Sequence, residues 1–441
     1  MKNHESKDDY LKVIDQFNTL TLDQKIQIFG NLSSRAREDL ISVISRPTEI
    51  TRRISEEEMF FTIKDLGEEN AEKLIALTTG KQLLYLLDID LWTRKDLNMA
   101  SISRWFQILV SIGEEKILQF VQVSDPELLC SILNRAIYVK LKDPDIDMTE
   151  QLDFLPPFTL DNSYFIDFKL PVIEEYVKQF LDCIFRYDSS YYMKLVQTLA
   201  TGWLPEYEES AYKWRSARLA DHGFPDFEEA LDIYSLLNPA LIRVSDDYPS
   251  PDEEVADLGP RKLLRYPALV LTGRNLFEKT LNSITDNALK DRISSELAHV
   301  ANKVMVADGK DAGSADELRQ SLIKTSSYIN MAMEEILARE QVSAEDLIIH
   351  NHMEYLFRHA YTLIMKLQYE ARNFLAGCEG GIENLGLPLA PLLKGLFRKR
   401  PVFDPGGLNR KKMRDFQFIT DLQDIRELIG PMREGDKWET L

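Results

Sequence analysis

Asp125-Pro126-Glu127-Leu128-Leu129-Cys130-Ser131-Ile132-Leu133-Asn134-Arg135-Ala136-Ile137 decides the fold class of this chain. An aspartate suited to cap the first turn precedes a proline where no amide is needed, and a carboxylate follows at the positive helix end. Behind this start Leu128, Leu129, Ile132, Leu133, Ala136 and Ile137 recur at helical spacing as one apolar stripe. The same grammar runs toward the N-terminus. Ser101 precedes the stripe Ile102, Trp105, Phe106, Leu109 and Val110, while Ser55-Glu56-Glu57-Glu58 and Thr21-Leu22-Asp23-Gln24 fit the capping box. From Thr21 to Ile137 a helix restarts about every dozen residues, and helices so short must bury their stripes on neighbours. The pattern predicts a mainly α fold of stacked short helices, an α-solenoid or multi-helix bundle, which presents surfaces more often than it performs chemistry.

A chain of 441 residues exceeds the size at which one core keeps growing, so two or three domains are expected. The formal charge of -19 argues against whole-chain attraction to nucleic acid or anionic lipid. Cys130, Cys183 and Cys378 are odd in number and far apart, which suggests neither a disulfide framework nor a cysteine zinc site and fits a reducing cytoplasm. The first residues carry no apolar signal-peptide core, and no later run has the length to cross a bilayer. A soluble, cytoplasmic protein is expected.

Residues 1–143 read as a helical repeat region ending at Asp143-Pro144-Asp145. Residues 144–244 read as a hairpin plus helices. There Phe158-Thr159-Leu160 and Tyr164-Phe165-Ile166-Asp167-Phe168 flank the turn-forming Asp161-Asn162-Ser163, predicting one small β-hairpin packed on helices. Pro171 opens a helix with the stripe Val172, Ile173, Tyr176, Val177, Phe180, Leu181, Ile184 and Phe185. The stretch from Trp214 to Leu231 is a helix, a stop at Gly223 and a second start at Asp226 with Glu229. Residues 245–260 hold Pro249, Pro251 and Pro260 among Asp246, Asp247, Asp252, Glu253, Glu254 and Asp257, the composition of an acidic linker. Residues 261–441 read as a C-terminal helical domain, with a capping box at Ser314 and Glu317 and a break at Gly377-Cys378-Glu379-Gly380-Gly381.

Three strings, Arg218 to Tyr234, Ala301-Asn302-Lys303-Val304-Met305-Val306-Ala307-Asp308-Gly309 and Gly395-Leu396-Phe397-Arg398-Lys399-Arg400-Pro401, together resemble a bacterial family, domain of unknown function 6178. The resemblance covers most of the chain and implies no activity. The first third separately resembles the helical repeat domain that precedes the membrane part of bacterial magnesium transporters and recurs in the flagellar motor switch. That likeness rests on helix spacing alone.

Candidate chemical motifs are sparse. His352 and His359 are expected on one long helix beside Leu356 and Leu363, both turned toward the interior. Seven residues part them by about 10 Å along the axis, too far for one metal ion without other donors. Glu296-Leu297-Ala298-His299 matches one Glu-x-x-His element of a di-iron bundle, but a second is missing from the sequence. Asp308-Gly309-Lys310-Asp311-Ala312-Gly313 places Lys310 and Ala312 where a calcium loop needs oxygens, and Arg319 where it needs glutamate. Gly309-Lys310 lacks the preceding glycine and strand of a phosphate loop. No nucleophile elbow, HExxH or dinucleotide fingerprint is present, and acidic runs such as Glu206-Tyr207-Glu208-Glu209 read as solvated faces. Neither a metal nor a cofactor is expected.

One segment opposes the global charge. Lys394, Arg398, Lys399, Arg400, Arg410, Lys411, Lys412 and Arg414 stand against only Asp404 and Asp415 nearby. They predict an anion- or partner-binding patch, a basic segment docked on the acidic surface of the same protein, or simply a solvated face. Three functions follow from these signals. The first is a cytoplasmic helical scaffold or regulatory module with a protein partner and no catalysis. The second is an enzyme or cofactor-binding protein whose site is assembled from scattered helices, and the third an RNA- or phosphate-binding module on segment 394–414. A polar cluster around His299, His352 and His359 would favour the enzyme, and a broad apolar groove on the first region the scaffold.

Overall fold

A computed structural model describes residues 14–93, 95–143, 154–202, 205–243, 264–406 and 413–430. Residues 245–260, read as a linker, lie outside them, as do Arg410, Lys411 and Lys412 of the basic segment. The chain divides into two compact units, Met1–Asp221 and His222–Leu441. The division falls at the helix stop between Trp214 and Leu231, and the helices on either side of it pack into different units. The fold is mainly α, with two small antiparallel strand pairs among the described residues.

In the first unit α1 (Leu22–Gly30), α2 (Ser34–Ile41), α3 (Pro47–Thr51), α4 (Glu56–Leu66), α5 (Glu72–Leu77), α6 (Gly80–Asp90), α7 (Met99–Ile112) and α8 (Glu114–Val123) form two rows. Each helix packs on the helix two along, α1 on α3, α5 and α7 in one row and α2 on α4, α6 and α8 in the other. Thr21 and Ser55 cap α1 and α4 as predicted, whereas Asn98 and not Ser101 caps α7. Thr21 Oγ1 accepts from Gln24 N at 3.3 Å and Gln24 Oε1 accepts from Thr21 N at 3.0 Å. Ser33, Thr79 and Asn98 open α2, α6 and α7 in the same way. Ser55 accepts from Glu58 N, but the Glu58 carboxylate turns away from the box to meet the Arg37 guanidinium at 2.6 Å, both side chains fully buried.

The carbonyl ends of the first row are closed by side chains from the second. Arg37 donates to Phe29 O at 3.1 Å and Gly30 O at 3.0 Å at the end of α1. Gln82 donates to Thr51 O at 2.8 Å and Ile54 O at 2.9 Å beyond α3, and Lys116 donates to Thr78 O at 3.1 Å beyond α5. Orphan carbonyls buried without such donors would cost roughly 1–3 kcal/mol each.

The stripe after Pro126 forms α9 (Pro126–Ala136), but Ile137 is not its last turn. It begins β3 (Ile137–Leu141), which runs antiparallel to β4 (Tyr164–Phe168), pairing Ile137 with Phe168 and Leu141 with Tyr164. The hairpin expected within 158–168 is therefore corrected. Tyr164–Phe168 is a strand, whereas Phe158 contributes only a bridge to Ile166. β-branched Ile137 and Val139 face inward while Tyr138 and Lys140 face outward, a period of two that a helical stripe ending in Ile conceals. The second pair, β1 (Trp92–Thr93) with β2 (Asp96–Leu97), had no sequence signal. α10 (Glu174–Tyr187) buries Val177, Phe180, Leu181 and Ile184, preceded by a 3-10 turn at Pro171–Ile173 that leaves Val172 exposed. α11 (Ser189–Thr201) packs on β3 and α12 (Pro205–Ala220) on α9.

The second unit is built on three long helices that pack mutually, α16 (Asn287–Ala307), α17 (Ala315–Arg339) and α19 (Met353–Ala376). Shorter elements surround them: α13 (Phe227–Ala230), α14 (Tyr266–Val270), α15 (Leu276–Ser283), α18 (Ala344–His350), α20 (Leu389–Leu396) and α21 (Ile419–Ile429). Asn275, Asp286, Ser314 and Ser343 cap α15, α16, α17 and α18 locally, and three helix starts also receive an acceptor from a distant residue. Asn330 Oδ1 accepts from Leu276 N at 2.9 Å and Phe277 N at 3.3 Å, opening α15. Glu334 Oε2 accepts from Ile419 N at 2.7 Å, opening α21, and Glu296 Oε2 from Met353 N at 3.1 Å, opening α19. Among the described residues no helix is long and apolar enough to cross a membrane.

Candidate functional site

Residues 295, 296, 299 and 303 share one face of α16 because a helix returns every three to four residues. That face borders a cleft of ≈ 500 Å³ whose opposite wall carries His352, Glu354 and Tyr355 at the start of α19. The Glu-x-x-His element thus meets His352, although not as metal chemistry. Glu296 accepts from the Met353 amide, holds Arg292 at 3.1 Å and lies 3.6 Å from His352 Nδ1. It serves as the carboxylate at the positive end of α19. Burial works to raise the Glu296 pKa, but His352, Arg292 and the Met353 amide outweigh it and hold the carboxyl below the usual range. The contact with Glu296 in turn raises the His352 pKa against its partial burial.

His299 Nδ1 lies 3.0 Å from the Ser295 carbonyl, which can only accept, so in the neutral ring Nδ1 carries the hydrogen and Nε2 the lone pair. The turn at Gly223 presses on this residue. With φ +79, a Cβ there would stand 2.8 Å from His299 Cα, so only glycine fits. Asn302 fixes the same turn by donating to His222 O at 2.9 Å. Lys303 meets Glu354 at 2.8 Å, and Arg358 approaches the other oxygen of Glu354 at 3.7 Å. His359 goes elsewhere. It is buried, with Nε2 2.9 Å from Glu335 on α17, so the interior orientation expected for both histidines holds for His359, while His352 is half exposed. Among the described residues no three His, Cys, Asp or Glu side chains converge to hold a metal ion.

The basic segment scatters among several partners. Lys394 pairs with Glu383 at 2.9 Å, and Arg414 grips Asp421 through two bonds of 2.7 Å with its guanidinium 4.8 Å over the Phe403 ring. Arg398 and Lys399 are exposed. Arg400 turns inward, where Nε reaches Asp308 at 2.8 Å, Nη2 reaches Ala307 O at 2.6 Å and the guanidinium lies 4.0 Å over the Tyr234 ring. Tyr234 donates to the same carboxylate at 2.9 Å. Tyr234, Asp308 and Arg400 come one from each of the three strings that carry the family resemblance.

Asp308 sits at the negative end of α16, the wrong end for an acid, and Arg400 and the buried Lys324, 2.7 Å away, offset that cost. Burial pushes the Tyr234 and Tyr328 hydroxyls well above their ordinary pKa, and raises Asp415 despite nearby Lys324 and Lys310. Lys324, Tyr328 and Asp415 had no signal in the sequence, since they meet the cluster only through tertiary packing. In the first unit Arg218 forks between Asp88, at 2.7 and 2.8 Å, and Asp125, at 2.7 Å.

Two helical units, one a ladder of short helices and the other a long-helix core with a polar cleft and a buried charge cluster, define a mainly α protein. The chain belongs to a family of unknown function, DUF6178, whose model matches residues 14–436. No curated protein and no solved structure matches it.

Proposed function

We propose that the protein is a cytoplasmic helical scaffold or regulatory module that binds a protein partner and performs no reaction of its own. The observation that carries this reading is the two-row ladder from α1 to α8, in which every helix packs on the one two along. Such rows extend a surface without enclosing a reaction site, as helical repeats do when they bind partners. Capture from native cells, followed by rebinding of the purified candidate to the purified full chain, tests it. A stoichiometric protein complex supports the scaffold; recovery of nucleic acid alone, or of no macromolecule, overturns it.

A second reading, an enzyme or cofactor binder, is favoured by the cleft holding Glu296, His299, Lys303 and His352. The third, RNA or phosphate binding on segment 394–414, is supported by exposed Arg398 and Lys399 alone among its described members, because Lys394, Arg400 and Arg414 have carboxylate partners. Reversing charge at Arg398 and Lys399 should abolish capture of an external anion without lowering the melting temperature if that third reading holds.

A further inference from the structure

The cleft between α16 and the start of α19 mixes basic and acidic side chains, with further arginines behind its walls. In a chain of formal charge -19, Arg243, Arg292, Lys303 and Arg358 surround the cleft or its walls, against the two carboxylates Glu296 and Glu354. The pairing is redundant. Glu354 is served by both Lys303 and Arg358, and Glu296 by Arg292 and the Met353 amide as well as by His352. Lys303 and His352, the basic side chains that line the cleft with His299, can therefore turn to a ligand while each carboxylate keeps another partner. A volume of ≈ 500 Å³ lies within the range of small-molecule sites.

We propose that this cleft binds the oxyanion of a small molecule, a phosphate or phosphate monoester, through Lys303 and His352. This goes beyond the scaffold reading and does not depend on it. Glu296 and Arg292 of α16, Arg243, and Glu354 and Tyr355 on its own helix surround His352, and among them Glu296 acts most strongly to favour its charged form. An anion in the cleft should add to that effect, so binding and protonation should assist each other.

Calorimetry on the full chain with inorganic phosphate, sulfate and glycerol phosphate, at ionic strength fixed with chloride, tests the site. Lys303→Ala and His352→Gln should each weaken phosphate binding about tenfold or more, while Arg398→Glu with Lys399→Glu should leave it unchanged. Sulfate keeps its charge from pH 6 to pH 8, so it should bind more tightly at pH 6 in the natural chain, a preference that His352→Gln should remove and His299→Gln, in the same cleft, should leave in place. Tighter binding of glycerol phosphate than of phosphate would assign an ester as ligand; equal binding would assign the free anion. Absence of binding at about 10 mM, or binding that survives both cleft variants unchanged, overturns the proposal. If Lys303→Ala does not fold, His352→Gln decides alone, because that half-exposed side chain leaves Met353 capped by Glu296.

Discussion

Both units start helices on local caps, but they differ in what they add to them. In the first, α1, α2, α6 and α7 start on a cap from the residue just before them, and the donors that finish α1, α3 and α5 come from the neighbouring row. In the second, Asn275, Asp286, Ser314 and Ser343 cap locally as well, but α15, α19 and α21 also draw on Asn330, Glu296 and Glu334, residues more than fifty positions away. A ladder of short helices can be written locally, whereas a core of long helices uses its buried polar side chains as caps for other elements. The difference predicts where each unit is fragile.

The largest effect should come from Arg37 and Glu58, the one fully buried ion pair among the described residues of the ladder. Glu58→Ala strands Arg37 without its carboxylate and should destabilise the first unit by ~3–5 kcal/mol in denaturant unfolding. A loss under about 1 kcal/mol would show that the carbonyls at Phe29 and Gly30 suffice for Arg37.

Lys116 sharpens the same contrast through pH. Its neighbours are neutral acceptors, Thr78 and Gln119, and burial pushes its pKa down to about 8. The unfolded lysine keeps its proton to about 10.4, so between these values the unfolded state binds more protons and stability rises with pH. The gain should reach at most about 3 kcal/mol, and Lys116→Met should remove it. A flat stability profile from pH 8 to 10 in the natural chain would break this account.

Asn330→Ala leaves the Leu276 and Phe277 amides and the Gln417 carbonyl without their partner, and should cost ~1–3 kcal/mol. Thr21→Ala removes one exposed local cap and should cost ~1 kcal/mol or less. Equal losses would erase the distinction between local and distant capping.

The smallest effect concerns His352. Its pKa is raised by Glu296, so its contribution is full below the unfolded value near 6.5 and is lost as pH rises through the folded value. Because the side chain is half exposed, screening should keep the change under ~1 kcal/mol. His352→Gln should flatten that part of the profile, read by thermal unfolding from pH 5 to pH 8.

Legibility in the sequence follows the same division. Thr21 with Gln24, Ser55 before α4 and the proline of α9 act within one turn of themselves and made those starts readable, while α7 was found through its stripe although Asn98, not Ser101, caps it. Ile137 misled because one β-branched residue fits a helical stripe and a strand equally well, and the true partner of Tyr164–Phe168 lies across a long connection. Glu296, His299 and His352 were visible as residues. That Glu296 caps α19 was not, since a cap in space leaves no spacing in sequence. Arg400 stood out by charge, but its destination over Tyr234 depends on Asp308, Lys324 and the packing of three elements.

The ladder also sets an order of events during synthesis. Contacts between helices two apart have short sequence separation, so α1 can find α3, and α2 find α4, while most of the chain is still unmade. The second unit cannot close so early, because Tyr234 and Asp308 wait for Arg400, and α19 and α15 each depend on residues of other long helices. A ribosome adding about 5–20 residues each second would therefore complete the first unit well before Arg400 of the second is made.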